Sequence, residues 1–198
     1  LDWQTLDLTA IPTVSKVYSL FPSLATAMGY AVEVVPYDVA PGLTLPGSWD
    51  SYLSSLSKKD RHELRRKMRR LSEAGAVSYY TLGEDERLDQ GIEDFLRLLK
   101  ESRVDKAEFL TPKVEKFFRG IMNSLARAGH LKLAFLELDG NRVASLFCYD
   151  YAGAYSLYNS GYDPSFSHLS VGLVSKAMCL KDAIDSGKSH FDFMRGAE

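Results

Sequence analysis

Cysteine is scarce in this chain of 198 residues: Cys148 and Cys179 are its only two, and they lie too far apart to form a metal-ligand or redox spacing. Thiol scarcity of this kind fits a reduced, cytoplasmic protein, and that is the expected location. The four histidines, His62, His130, His168 and His190, are scattered, so no metal site is expected. No apolar run approaches the roughly 18 residues that a membrane span needs, and no basic-then-apolar leader opens the chain. A net charge of −2 gives the whole molecule no bias toward polyanions. Also missing are the P-loop, G-x-G-x-x-G, H-E-x-x-H and G-x-S-x-G patterns. The chain opens on Leu1 rather than Met, and a fragment is expected.

What remains is the composition of a globular protein, 45% hydrophobic and 25% charged. The length suggests one domain or one and a fraction. Charge is distributed unevenly: Lys58 to Arg70 holds eight Lys or Arg against two acids. This segment reads either as a solvated amphipathic helix or as an attractor of phosphates on a nucleotide-bearing donor, a lipid-linked acceptor or tRNA. It lacks aromatic residues for base stacking, so sequence-specific nucleic-acid binding is not expected. Arg65 and Arg66 are its candidate substrate contacts.

Residues 1–47 predict a strand at Leu6-Asp7-Leu8, a helix carrying Val14, Val17, Leu20, Phe21, Leu24 and Met28, a strand from Tyr30 to Tyr37, and a linker from Pro41 to Gly47. Ser48 is expected to cap a short helix, and Ser57 the basic helix, whose apolar stripe is Leu64, Met68 and Leu71. From Ala76 the order becomes regular. A strand to Leu82 leads to a helix from Asp85 to Arg103 and another opened by Thr111 and Pro112. Strands follow over Leu131–Leu138, Arg142–Asp150 and Ala154–Ser160. The Asp139-Gly140 pair predicts a tight hairpin turn. A helix from about Val171 to Ser186, burying Leu173, Ala177, Leu180 and Ile184, precedes a last strand, Ser189 to Met194. The resulting order, β-α-α-β-β-β-α-β, is a mixed α/β fold and not a doubly wound one.

The segment Ser167-His168-Leu169-Ser170-Val171-Gly172, with Leu173 after it, joins a strand to a helix. Ser170 is placed as N-cap, and Gly172 leaves the first amides uncovered, so the helix start can take an anion; an ordinary cap is the plain alternative. Tyr158-Asn159-Ser160-Gly161-Tyr162-Asp163 closes the third strand, with a bulge or a turn expected near Gly161. Asp192, between Phe191 and Phe193, faces either solvent or a crevice. Arg195 and Glu198 fall just after it, at the end of the strand.

Together these residues resemble a known family. Trp49-Asp50-x-Tyr52-Leu53 and Asp60-Arg61-His62-Glu63-Leu64-Arg65-Arg66-Lys67 are similar to the opening signature of GNAT-superfamily proteins of the cellulose-biosynthesis (CelD/BcsL) group. So are Leu157 to Pro164, Ser170-Val171-Gly172 and Phe191 to Gly196, in order and spacing. That group is related to the Fem aminoacyltransferases, which are built from two GNAT-like halves. The resemblance implies a central mixed sheet, cut short at the C-terminus, in a GNAT-like domain over residues 48–198. Residues 1–47 would be the tail of a preceding half plus linker. It implies acyl transfer from acyl-CoA, acetyl-CoA in the simplest case, to an amine or hydroxyl acceptor, in cell-envelope or polysaccharide metabolism. The implied donor site is the loop Ser167–Leu173 together with Asn159 and Ser160. Arg65, Arg66, Tyr158 and Arg195 would meet substrate, and Asp192 and Glu198 are the weak candidates for base. A Fem-like aminoacyl-tRNA donor and a non-catalytic binding domain are the alternatives.

Overall fold

The computed structural model describes residues 4–194, which fall into two compact units divided between Ala40 and Pro41. In the first, helix α1 (Lys16–Ala27) starts at Ser15, whose hydroxyl accepts from the Tyr18 N–H. Its apolar stripe forms, yet none of its residues is buried, and Leu24 is 61% exposed. Neither expected strand of this unit exists: Leu6-Asp7-Leu8 and Tyr30 to Tyr37 run as irregular, exposed chain. The Val-rich run at 31–35 has strand propensity, but propensity works through packing on a half-buried sheet. No strand forms among residues 4–40 for it to join.

Residues 41–194 carry one sheet of order β1-β6-β5-β4-β3-β2. Its strands are β1 (Gly42–Thr44), β2 (Val77–Leu82), β3 (Leu131–Leu138), β4 (Asn141–Tyr151), β5 (Ala154–Tyr162) and β6 (His190–Asp192). All neighbours are antiparallel except β5 and β6. The Asp139-Gly140 turn has φ of 51° and 77°, as a two-residue hairpin of this twist requires. A second such turn, Ala152-Gly153, joins β4 to β5 with φ of 50° and 81°. Strand β1 lies inside the stretch read as linker, where it pairs Gly42 with Asp192 and Thr44 with His190.

Helices cover both faces. On one lie α4 (Leu88–Ser102), α5 (Val104–Phe109) and α6 (Pro112–Arg127), with Phe95, Phe118 and Phe147 at the centre of their core. Thr111 caps α6 by accepting from Val114 N–H. The short α5 is an addition to the expected order, separated from α4 by the extended backbone of Arg103. On the other face lie α2 (Trp49–Ser55), α3 (Lys58–Ala74) and α7 (Val171–Asp185). Helix α3 buries Leu64 and Leu71 and turns Arg65, Arg66 and Arg69 to solvent. Helix α7 buries Val171, Val174, Leu180 and Ala183, while Leu173, expected inside, is 46% exposed. The helix is apolar on most sides, so spacing alone did not fix its inner face.

Two local devices shape β5. Opposite it, Phe147 pairs with Asn159 and Cys148 with Leu157, so Tyr158 is the extra residue of a bulge. The bulge is therefore three residues before Gly161, which sits in regular register with Ser145. Gly161 serves packing instead. A Cβ there would lie 2.3 Å from Leu99 N and 2.5 Å from Leu98 C, so only glycine lets α4 approach this closely.

Candidate active site

The parallel pairing of β5 with β6 covers only Ala154, Tyr155 and Ser156, opposite His190, Phe191 and Asp192. From Leu157 onward β5 keeps β4 on one side and has no strand on the other among the described residues. Backbone groups on that open side need other partners. At Ser160 they are side chains: Asn159 Oδ1 accepts from its N–H at 2.9 Å, and Lys106 Nζ donates to its carbonyl at 2.7 Å. Lys106 reaches there from α5. The Ser160 N–H is thus held by the side chain of its own neighbour.

Beyond Tyr162 the chain forms a 3-10 helix (Pro164–Leu169), opened by Asp163 accepting from Ser165 N–H. It closes at Ser170, which has φ 58° and ψ 35°, and α7 begins immediately. In this left-handed conformation the Ser170 hydroxyl does not cap α7, contrary to the expectation. It accepts from Arg70 instead, at 2.9 Å, across from α3. Leu173 and Val174 N–H bond to the Ser170 carbonyl, whereas no acceptor occurs among the described residues for Val171 or Gly172 N–H. These are the orphan donors of a helix start, at its positive end. A Cβ on Gly172 would stand 3.1 Å from the Tyr162 ring, so this turn lies against the end of β5. A side chain at this position would need that ring to give way by a few tenths of an ångström.

The other candidate residues separate into groups. Leu169 and Val171 are buried in the core beneath α7, so only their main chain can meet a ligand. Ser167 and His168 are exposed on the 3-10 helix, His168 Nδ1 lying 3.1 Å from Ser165 O. Tyr158 is 37% exposed and packs its ring on Phe118 and Phe147, on the α4/α6 side of the sheet. Arg66 is occupied by Glu63 in a two-pronged pair of 2.7 and 2.9 Å, and Arg65 faces solvent. Asp192 accepts from Met194 N–H at 2.7 Å, which binds its carboxylate to the turn that follows it. Arg195 and Glu198 lie outside the described residues.

Chemistry elsewhere is closed off. Cys148 and Cys179 are buried with sulfurs 3.6 Å apart, and the hydrogen bond shared with Cys179, with burial, pushes the Cys148 thiol well up. A protonated buried thiol is no nucleophile. Arg142 joins Asp94, Glu137 and the Tyr80 hydroxyl in a satisfied structural network. A cleft of about 280 Å³ beside Leu173 is bordered by Tyr52, Glu63, Lys67, Lys176 and Phe193. No group of three or more potential metal ligands occurs among the described residues. None of the described helices is long and apolar enough to cross a membrane.

Sequence reasoning missed Arg70 and Lys106. Arg70 sits one residue before the buried Leu71, on the flank of the α3 stripe, where a cation is half-buried and can reach a neighbouring element. That position was the available signal. Lys106 gave none, because α5 was not foreseen.

A mixed sheet of this order, with a helix opening where one strand loses a neighbour, is the architecture of a GNAT-type domain. The sequence profile of the acetyltransferase (GNAT) domain matches residues 58–198, and the chain belongs to that family. Among solved structures the chain is similar to FemX, at 12% identity and a TM-score of 0.58, over 75% of this chain and 51% of that one. It is also similar to a conserved protein of unknown function from Bacteroides thetaiotaomicron, at 13% identity and a TM-score of 0.53, over 91% and 59%. At these identities the likeness is one of fold. The chain spans about half the length of the FemX chain it matches. No curated protein matches it in sequence.

Proposed function

We propose that the domain transfers an acyl group, acetyl in the simplest case, from acyl-CoA to an amine or hydroxyl acceptor. The observation that carries this reading is the junction of β5 and α7. Among the described residues, a strand with one open edge leads to a helix whose first two amides, on Val171 and Gly172, have no acceptor. The amides suit the donor's pyrophosphate, and the open edge of β5 suits its amide-bearing arm. The acceptor's nucleophile attacks the thioester carbonyl, forming the new C–N or C–O bond. The C–S bond breaks and CoA leaves as the thiol, taking up the proton that the acceptor gives up. An N–H on the open edge, with Ser160 the candidate, would hold the oxyanion once Asn159 releases it. Asp192 and Glu198 are retained as proposed base or water-positioning groups. The resemblance to the cellulose-biosynthesis group supports an envelope or polysaccharide acceptor, met in the cytoplasm.

A second reading keeps the fold and takes an aminoacyl-tRNA as donor. It is favoured by the Fem resemblance and by the exposed Arg65, Arg66 and Arg69 on α3. For residues 1–47 the proposed origin is the tail of a preceding GNAT-like half. The exposed apolar side of α1 supports this.

Thermal unfolding with CoA, acetyl-CoA, longer acyl-CoAs and tRNA tests the donor. A ligand at about 100 times its Kd stabilises by about 2.7 kcal/mol. Stabilisation by acyl-CoA is expected. Stabilisation by tRNA alone, lost as salt rises, would replace the first reading with the second; none by either would leave a binding domain without this chemistry.

A further inference from the structure

We infer that Arg70 is a donor-phosphate ligand, the guanidinium that pairs with the pyrophosphate at the start of α7; this rests on the acyl-CoA reading above. The inference begins with an electrostatic imbalance on α3. Four other cations of the helix have protein partners, Arg66 and Lys67 sharing Glu63, Arg69 lying 3.9 Å from Glu73, and Arg61 reaching the carbonyls of Leu53 and Ser54, while Arg65 is exposed to water. Arg70 differs. It is half-buried, its Nε–H is fully buried without a partner among the described residues, and the hydrogen bond it makes there goes to a neutral hydroxyl, Ser170 Oγ. Among the described residues no carboxylate comes within ion-pair distance of it. A guanidinium partly withdrawn from water is normally paired, because burying its donors without partners is costly. An arrangement that leaves the charge unpaired, with a donor unused, is complete only when an anion arrives.

Position says which anion. The Ser170 hydroxyl belongs to the residue directly before the two open amides of Val171 and Gly172. Arg70 therefore comes from a second element to the same helix start, about 100 residues away in sequence. A diphosphate offers oxygens in more than one direction, so it can take the amides and the fork together. The left-handed Ser170 serves this geometry, since its hydroxyl is turned to the arginine and not onto the amides of α7.

The test compares CoA with pantetheine, which lacks the phosphates, by calorimetric titration of the chain and of Arg70→Gln, Arg70→Lys and Ser170→Ala. Expected is a loss of about tenfold or more in CoA affinity for Arg70→Gln, as for a charge-assisted pair. Pantetheine affinity should be unchanged, Arg70→Lys should recover part of the loss, and Ser170→Ala should lose little. Equal losses in Arg70→Gln and Ser170→Ala would mean that the arginine only props the loop, and would overturn the inference. So would wild-type CoA affinity in Arg70→Gln. If the unaltered chain binds no CoA, the donor reading itself fails and this inference with it. Should Arg70→Gln not fold, Arg70→Lys carries the same comparison: a CoA-specific loss supports the phosphate contact, and an unchanged CoA affinity rejects it.

Discussion

Over Ala154–Ser156, β5 has a strand on each side; over Leu157–Tyr162 it has only β4 among the described residues. The first stretch is ordinary core. Tyr155 is 1% exposed, and its hydroxyl reaches Asp182 on α7. The second stretch carries a bulge at Tyr158, a main chain at Ser160 held by side chains, and a glycine at 161 that admits α4. Strand pairing leaves nothing for a ligand to bind. Side-chain partners on an open edge can be exchanged for a ligand's groups, and that difference separates the scaffold from the proposed working part of one strand.

Four substitutions would break or sharpen this contrast. The largest effect belongs to the closed stretch: Tyr155→Ala should cost about 3 to 5 kcal/mol, the range for emptying an aromatic core site, read from urea unfolding. A loss below about 1 kcal/mol would show that β6 does not pack there as described. Next is Gly161→Val, whose side chain has no space against the Leu98 and Leu99 backbone. Overpacking of this kind costs about 1 to 3 kcal/mol, and more where backbone must move; an unperturbed melting temperature would contradict the close approach of α4.

Asn159→Ala should sit at the other end of the scale. It removes a local, part-buried hydrogen bond, so stability should change by about 1 kcal/mol or less, while acetyl-CoA affinity or turnover changes because the Ser160 N–H is freed. A variant altered in stability but not in donor handling would assign the open edge to structure. The smallest effect is at Asp182, whose carboxyl is raised above the ordinary range by burial. Its folded pKa exceeds the unfolded one, so its contribution favours the folded state in acid and is lost as pH rises through the folded value. Asp182→Asn should therefore be slightly more stable than the unaltered chain at neutral pH and not in acid. Unfolding curves across that range would reveal an opposite trend if the Tyr155 hydrogen bond and the positive charge of Lys132, which both favour the carboxylate, dominate.

Legibility followed periodicity and turn chemistry. The meander was readable because Asp139-Gly140 admits one tight turn and the flanking strands are β-rich. Helices α4 and α6 were readable because Phe95 and Leu99, and Phe118 and Met122, stand at helical spacing; all four are buried, whereas Phe117 is exposed. Failures came where context decides. Tyr30 to Tyr37 has a strand's composition but no sheet to join, and Gly42–Thr44 has little propensity yet pairs with β6. At the candidate site, a helix start at Ser170-Val171-Gly172 was legible. The left-handed Ser170 and the arginine that turns to it were not, since their meeting spans α3 and α7. Lys106 was hidden for the same reason: its partner is a backbone carbonyl 54 residues away.

The central claim, that the donor's pyrophosphate rests on the first turn of α7, is tested most directly by amide NMR during titration with CoA and, separately, with pantetheine. The expected result is that the Val171 and Gly172 N–H signals move with CoA, saturably, and stay in place with pantetheine. A saturable CoA titration that shifts other amides and leaves these two unmoved would contradict it.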